Sequence, residues 1–151
     1  MSNMFQKILN WYESIGLKEI VRDRETDEPV MIKWMILGIK EPRKWFPFNI
    51  VIHNIPDNDI EDHKHNHPWP FISIILKGGY WEHLDSGRHW RKPGRILFRS
   101  HKTRHRIELD PSKPNVYTLY IMGPRLQDWT VFRDDKGKVV VGKNRYYTTE
   151  H

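Results

Sequence analysis

Residues 62–79 read DHKHNHPWPFISIILKGG, and this stretch carries the pattern that decides the fold. His63, His65 and His67 alternate with other residues, so an extended strand would direct all three side chains to one face. Pro68 restricts His67 to the β or polyproline region, which favours an extended chain at that point. The apolar run FISIILKG that follows predicts a buried strand ending at a pair of glycines.

Short runs with a period of two continue on both sides of this segment. They are rich in β-branched and aromatic residues, and turn-forming residues separate them. Because no helical pattern lies between them, the sequence predicts an all-β sandwich or barrel. The predicted strands are VMIKWMILGI (30–39), FPFNIVIHNI (46–55), FISIILKG (71–78), YWEHL (80–84), GRILFRS (94–100), RHRIEL (104–109), NVYTLYIMG (115–123) and DWTVFR (128–133).

One helical pattern precedes the strands. Apolar residues recur at spacings of three and four over residues 4–15, which predicts an amphipathic helix that packs against the sheet. Asn3 is a candidate cap, with Gln6 as its partner, and Gly16 is the expected stop. We expect a single domain of residues 1–151, with the helix in 1–16, the barrel in 30–141 and a polar tail in 142–151.

Composition limits the classes of function. The chain has 25 Lys and Arg against 19 Asp and Glu, a net charge of +6 that permits binding of anionic small molecules or nucleic acid without requiring either. It has no cysteine, which excludes disulfides, thiolate ligands and cysteine nucleophiles. No apolar segment is long enough to span a membrane, and the N-terminal residues lack the apolar region of a signal peptide. We therefore expect a cytoplasmic protein.

The alternating histidines are candidate metal ligands. Imidazole is the commonest protein ligand for Zn, Fe, Ni and Cu, and an H-x-H pair on a strand places two ring nitrogens close enough to share one ion. A metal site needs at least one more ligand from elsewhere in the chain. His101 and His105, in the segment SHKTRHRI, qualify by position.

These two histidine groups resemble the paired motifs of the cupin superfamily, small β-barrels of the jelly-roll type. With His65 and His67 as the H-x-H pair, the first motif should close on a glycine at position 78 or 79, and the sequence has Gly78 and Gly79. With His63 and His65 as the pair, the glycine would fall on 76 or 77, where none is present. The second motif, started at Gly94, places its histidine at 105. The details GGYWEH, HRIEL and YTLYIMGPRLQDW are similar to uncharacterised small cupins of bacteria and phages.

The sequence departs from the cupin pattern at several positions. The glutamate of the first motif would fall at Phe71 or Ile72, and the proline and glycine of the second motif are replaced by Ser100 and Lys102. The resemblance then implies a divalent metal held by His65, His67 and His105, with no acidic ligand. His63 is the candidate fourth ligand, and His101 is the next.

The resemblance also implies a type of chemistry. Three neutral histidines leave a divalent ion with its full charge, which favours an anionic, chelating ligand. Three ligands on one face of an octahedral ion would leave the other positions open for such a substrate and for dioxygen. Three-histidine thiol dioxygenases have this arrangement, and the predicted site resembles them in ligand type only. Fe(II) is therefore favoured, while Zn, Ni and Mn stay open as alternatives, with a tetrahedral zinc site if a fourth ligand is present.

Six further residues are candidates for the site. Glu82 could act as a general base or accept a hydrogen bond from a ligand histidine, although the pattern favours an ordinary surface carboxylate. Ser73, Tyr80, Arg99 and Arg125 are candidate substrate-binding residues, and for the two arginines exposure on the surface is the favoured interpretation. Trp69, between two prolines, could form a wall of the pocket.

Three classes of function follow from these patterns. The favoured one is a three-histidine, dioxygenase-like enzyme acting on a small anionic molecule. The second is a non-redox cupin, either an isomerase or epimerase using a histidine base or a protein that sequesters a small ligand. The third, a nucleic-acid binding module, has no supporting motif beyond charge and aromatic content. A homodimer formed through edge strands is the expected assembly.

Overall fold

A computed structural model describes residues 3–23, 27–37, 48–56, 64–113, 115–127, 130–132, 139–140 and 145–148. These residues form one helix and thirteen strands, and none of their helices is long and apolar enough to cross a membrane. The elements are α1 (Asn3–Ser14), β1 (Lys18–Asp23), β2 (Pro29–Leu37), β3 (Asn49–Ile55), β4 (Lys64–Asn66), β5 (Phe71–Lys77), β6 (Tyr80–Leu84), β7 (Gly87–Arg91), β8 (Ile96–Arg99), β9 (Arg106–Leu109), β10 (Val116–Met122), β11 (Thr130–Phe132), β12 (Val139–Val140) and β13 (Arg145–Thr148).

One large sheet forms a wall of the barrel. Its seven strands run antiparallel in the order β13-β1-β2-β3-β10-β5-β8. Strands β3, β10 and β5 are neighbours in this sheet, and their residues alternate between the barrel interior and the outer face. On β10 the even-numbered residues 116–122 are buried and the odd-numbered ones are partly exposed. This is the period of two expected of a strand with one buried face.

Two smaller sheets, β12-β11-β4 and β7-β6-β9, form the rest of the barrel. An antiparallel bridge between His65 and His105 joins them. The His65 N–H donates to the His105 carbonyl at 2.8 Å, and the His105 N–H donates to the His65 carbonyl at 2.9 Å. Directly opposed residues of an antiparallel pair direct their side chains to the same face. The two histidines therefore project together from the junction of the two sheets.

The core lies between the large sheet and the smaller ones. In one cluster, Tyr80 and Leu109 pack against Ile75, Leu97 and other apolar residues of the large sheet. A second cluster, nearer the histidines, contains Val51, Phe71, Tyr120 and Met122. Burial of side chains of this size stabilises the fold by about 1.5–3 kcal/mol each.

Helix α1 covers the outer face of the large sheet. Leu9 is its buried residue and packs against Trp34 and Ile52, with Phe5 and Tyr12 beside it. The expected stop is confirmed, because Gly16 adopts a φ of 75°, which glycine tolerates without strain. The expected capping box does not form, since the Gln6 side chain donates to Asn10 instead.

The all-β class with one N-terminal helix is confirmed, and most predicted strands are present with shorter ends. Strand β1 was not predicted, because KEIVRD has too few apolar residues to show a period. Strand β7 is not predicted either, because its first two residues fall within the predicted turn LDSGR, whereas the structure places the turn at Asp85 and Ser86. Residues 145–148, within the expected polar tail, pair with β1 as strand β13.

Candidate metal centre

Three histidine side chains meet inside the barrel. His65, His67 and His105 offer ring nitrogens that all lie within 4.8 Å of one another. His65 and His105 are buried, whereas His67 is partly exposed. Strand β4 positions His65, the bridge positions His105, and the extended backbone before Pro68 returns His67 to the same side. The structure therefore brings together the three histidines that the sequence selected, and their role as ligands stays a prediction.

The spacing of the nitrogens fits one metal ion. The Nε2 atoms of His67 and His105 are 2.9 Å apart. Two nitrogens bound to one ion at about 2.1 Å are about 3.0 Å apart when the bonds are perpendicular and about 3.4 Å apart in a tetrahedron. Without a metal, the same distance is a hydrogen bond between the two rings. The three residues thus fit a divalent ion by donor type and by spacing.

Glu82 fixes the orientation of His105. Its side chain is 1% exposed, so the expected surface carboxylate is wrong. The Oε1 atom lies 3.1 Å from the Nδ1 atom of His105. Burial opposes ionisation of Glu82, but hydrogen bonds from His105 and Arg99 outweigh it and hold the pKa of the carboxyl below its usual value. Because an ionised carboxylate only accepts, Nδ1 of His105 carries the hydrogen and its Nε2 presents a lone pair to the other histidines.

Two arginines complete the environment of Glu82. Arg99 donates from Nε at 2.9 Å and from Nη2 at 2.5 Å, and Arg91 donates from Nε at 2.8 Å. Arg99 therefore lies beside the site, but its guanidinium binds Glu82, so the interpretation of Arg99 as a surface residue is wrong. The carboxylate is fully engaged by these donors and by His105. It is an outer partner of the histidine cluster and does not replace the missing acidic ligand.

A second chain of hydrogen bonds orients His67. The Trp69 indole N–H donates to the Tyr120 hydroxyl at 3.3 Å, and this hydroxyl lies 3.4 Å from Nδ1 of His67. Trp69 also packs against the cluster that contains Phe71 and Tyr120. The Gln127 side chain donates to the backbone carbonyls of His67, at 2.9 Å, and of His101. The segment after β10 thereby holds the backbone of the histidine segment in place.

The remaining candidates occupy different positions. Ser73 and Tyr80 are buried inside the barrel, so the alternative of a solvent-facing Ser73 is wrong. Burial, together with the nearby charge of Glu82, raises the pKa of the Tyr80 phenol, which keeps it protonated. Arg125 is exposed in the loop after β10. His63 lies outside the described residues.

Sequence reasoning missed three contributors to the site: Arg91, Tyr120 and Gln127. A usable signal existed for Tyr120. Tyr120 lies on the same face of its strand as the apolar residues Val116 and Met122, so its hydroxyl could be expected inside the barrel.

Comparison with known proteins gives a result for the fold. No family model matches the sequence, and no curated protein matches it. Solved structures do match. The polyketide cyclase RemF of Streptomyces resistomycificus superposes with a TM-score of 0.56 at 14% identity, covering 76% of this chain and 75% of that one. An RmlC-like cupin protein of Ralstonia eutropha JMP134 gives 0.54 at 15% identity, covering 81% and 71%.

This chain has the cupin fold. The fold predicted from the two histidine motifs is confirmed. A third structure, HppE in its Fe(II) form, gives a TM-score of 0.53 at 8% identity, covering 69% of this chain and 56% of that one. At these identities the likeness concerns the fold, and the chemistry has to be argued from the residues of this chain.

Proposed function

We propose that this cupin-fold protein binds one divalent metal through His65, His67 and His105 and acts on a small anionic molecule as a dioxygenase-like enzyme with Fe(II). Three ring nitrogens converge within 4.8 Å in a group that, among the described residues, includes no carboxylate, and this is the observation that carries the proposal. That the same fold holds Fe(II) in HppE supports the choice of iron. Iron would supply Lewis acidity and redox chemistry with dioxygen.

The chain itself would prepare the ligand nitrogens. His105 needs no rearrangement, because Glu82 already holds its hydrogen on Nδ1. His67 has to change. Without a metal its Nε2 donates to the lone pair of His105, and its Nδ1 accepts from the Tyr120 hydroxyl. With a metal, the hydrogen must lie on Nδ1 and point to the Tyr120 oxygen. Tyr120 can serve both forms, because a hydroxyl donates and accepts.

The surrounding charge favours an anionic substrate. Glu82 carries one negative charge, and Arg91 and Arg99 carry one positive charge each, so this group retains a net positive charge beside three neutral imidazoles. With no carboxylate among the ligands, the charge of the ion itself would also remain uncompensated. An anion that chelates the metal would be attracted both by the net positive charge of this group and by the charge of the ion.

Metal analysis tests this proposal directly. The protein is purified without chelator, loaded separately with Fe(II), Zn, Ni and Mn, and its metal content is measured by mass spectrometry. We expect one ion per chain in the wild type and in the control variant His89→Ala, whose imidazole contacts Ser86 on the outer hairpin. His105→Ala should bind less than about a tenth as much. A wild type that stays metal-free, or an unaffected His105→Ala variant, would refute the proposal.

Redox chemistry needs a separate measurement. Oxygen consumption by the Fe(II)-loaded protein is followed with a panel of small carboxylic and hydroxy acids, with the zinc-loaded protein as the control. We expect the Fe(II)-loaded protein to consume oxygen with a member of the panel and the zinc-loaded protein to consume none. Turnover of a panel member by the zinc-loaded protein at the same rate, without oxygen uptake, would contradict dioxygenase chemistry.

A second function is favoured by one specific observation. The hydrogen bond between His105 and the buried carboxylate of Glu82 makes the imidazole a stronger base. An epimerase or isomerase would use such a base without redox chemistry. However, Nε2 of His105 faces the Nε2 of His67 at 2.9 Å. A base needs access to the proton of its substrate, so this geometry supports metal binding better than direct proton transfer.

A further inference from the structure

An apolar side chain lies directly against the histidine cluster. The ring centroid of Phe71 is 4.7 Å from that of His67 and 5.8 Å from that of His105. The three histidine rings are themselves 4.9–5.1 Å apart. Phe71 therefore packs on the two imidazoles whose Nε2 atoms face each other, at a distance comparable with that between the histidines.

Strand β5 fixes the direction of this side chain. Its residues alternate, with Phe71, Ser73 and Ile75 buried and Ile72 partly exposed. Phe71 is 6% exposed and stacks on Tyr120, with the ring centroids 4.6 Å apart. The sequence leaves two places for the carboxylate of the first motif, Phe71 and Ile72. The structure directs Phe71 to the histidine cluster and Ile72 to the outer face.

The residue at position 71 sets the charge beside the proposed ion. A carboxylate in place of the ring would offer a ligand atom and would cancel one of the two positive charges of a divalent metal. The ring of Phe71 offers neither a ligand atom nor a charge. Within the part of the chain that the structure describes, the histidine group includes no carboxylate. The negative charge that balances the ion therefore has to arrive with the substrate.

We propose that Phe71 makes the site selective for anions, because its ring occupies the place beside His67 and His105 from which a side chain could supply a fourth ligand. This inference deepens the proposed function and rests on it for the metal. A substrate that carries its own negative charge would bind the ion more tightly than a neutral molecule of the same size. Phe71 is thus a specificity-determining residue that contributes no ligand atom.

Replacement of Phe71 by side chains that can bind a metal tests this role. Phe71→Glu adds a ligand atom and a negative charge, Phe71→His adds a ligand atom alone, and Phe71→Leu adds neither. Ile72→Glu is the matched control, since it adds the same charge one residue further on, toward the outer face. Each protein is loaded with Co(II), whose visible absorption responds to its ligands, and is titrated with azide as the anion and imidazole as the neutral probe.

The measured quantities are the Co(II) affinity, from chelator competition, and the ratio of azide affinity to imidazole affinity. We expect Phe71→Glu to raise the Co(II) affinity about tenfold and to lower the ratio about tenfold, because the added carboxylate cancels part of the charge of the ion. Phe71→His should raise the Co(II) affinity and keep the ratio. Phe71→Leu should also keep the ratio, although it loses packing on His67. Ile72→Glu should change neither quantity.

Two features of the chain require further variants. Arg99 is the direct partner of Phe71 across the strands, so a carboxylate at position 71 could bind the guanidinium instead of the ion. Phe71→His is free of this attraction. If Phe71→Glu does not fold by circular dichroism, Phe71→Asp carries the same charge on a shorter side chain and takes its place.

Three results would overturn the inference: Co(II) binding by Phe71→Glu and Phe71→His at the wild-type level, an unchanged ratio in Phe71→Glu despite tighter Co(II) binding, or an equal fall of the ratio in Phe71→Leu. Failure of the proposed function has a different signature. A wild type that binds no Co(II), beside a Phe71→His variant that binds one ion, would contradict the proposed function and leave the placement of Phe71 beside the cluster standing.

Discussion

Replacement of Glu82 by glutamine removes one charge from the centre of the site and preserves its shape. Glu82 is 1% exposed and accepts hydrogen bonds from Arg91, Arg99 and His105. In the variant, both guanidinium groups would face a neutral amide. Their side chains are 14% exposed, so water can compensate little. Removal of one partner from a buried ion pair costs about 3–5 kcal/mol, and we expect the free energy of unfolding to fall by about 3 kcal/mol.

Acid should produce the same loss in the wild type. The pKa of Glu82 is lowered in the folded state, so its contribution is complete above the pKa of the unfolded chain, near 4.5, and disappears as the pH falls through the folded-state value. The stability difference between wild type and Glu82→Gln should therefore be constant above about pH 5.5 and shrink below about pH 4.5. Urea denaturation, followed by tryptophan fluorescence across this pH range, measures the difference.

Glu108→Gln is the matched control on the same small sheet. Glu108 also pairs with a histidine and an arginine, His83 at 2.6 Å and Arg88 at 2.9 Å, but its side chain is 32% exposed. Exposed pairs contribute about 0–1 kcal/mol, so the control should lose no more than that. Metal affinity should fall about 10–100-fold in Glu82→Gln and stay unchanged in Glu108→Gln. Equal stability losses in the two variants would refute the buried-network explanation.

Three further outcomes follow from the geometry. Tyr120→Phe should weaken metal binding about tenfold in a chelator competition assay, because phenylalanine cannot accept the Nδ1 hydrogen of His67; an unchanged affinity would contradict the proposed tautomer. Gly79→Ala should lower the unfolding free energy by about 3 kcal/mol, because φ is 109° and the new Cβ would lie 2.8 Å from the Arg91 carbonyl. Gly87→Ala, with φ 122° and open space, should cost about 1 kcal/mol, and equal losses in thermal denaturation would refute this comparison. Metal affinity should decrease as the pH falls, since protons compete for the imidazole nitrogens, and a constant affinity between pH 5 and 8 would exclude histidine ligation.

The histidine positions could be predicted from the sequence because their spacing to nearby glycines resembles the two motifs of cupins. The distance from His67 to Gly78 and Gly79 fixed the register of the first motif, and Gly79 indeed adopts a positive φ at the start of the β6 strand. Because His65 and His67 are two positions apart, an extended chain directs their side chains to one face. Spacing within a strand is local information, and the folded chain preserves it.

The partners of those histidines could not be predicted in the same way. Glu82 meets His105 because β6 pairs with β9, and it meets Arg99 because the opposite sheet closes over it. Both contacts depend on long-range pairing, which no local pattern encodes. Burial of a carboxylate is also unfavourable in isolation, so composition argues for the surface until the two arginines are known.

The position of the carboxylate decides what the site can bind. A glutamate placed at Phe71 or Ile72 would have neutralised part of the charge of the metal. Here the carboxylate lies behind His105, where its charge is offset by Arg91 and Arg99 and only orients the ring. The proposed metal therefore keeps its attraction for anions. A small dicarboxylate or hydroxy acid that chelates the ion would compensate its charge, whereas a neutral sugar would leave that charge uncompensated.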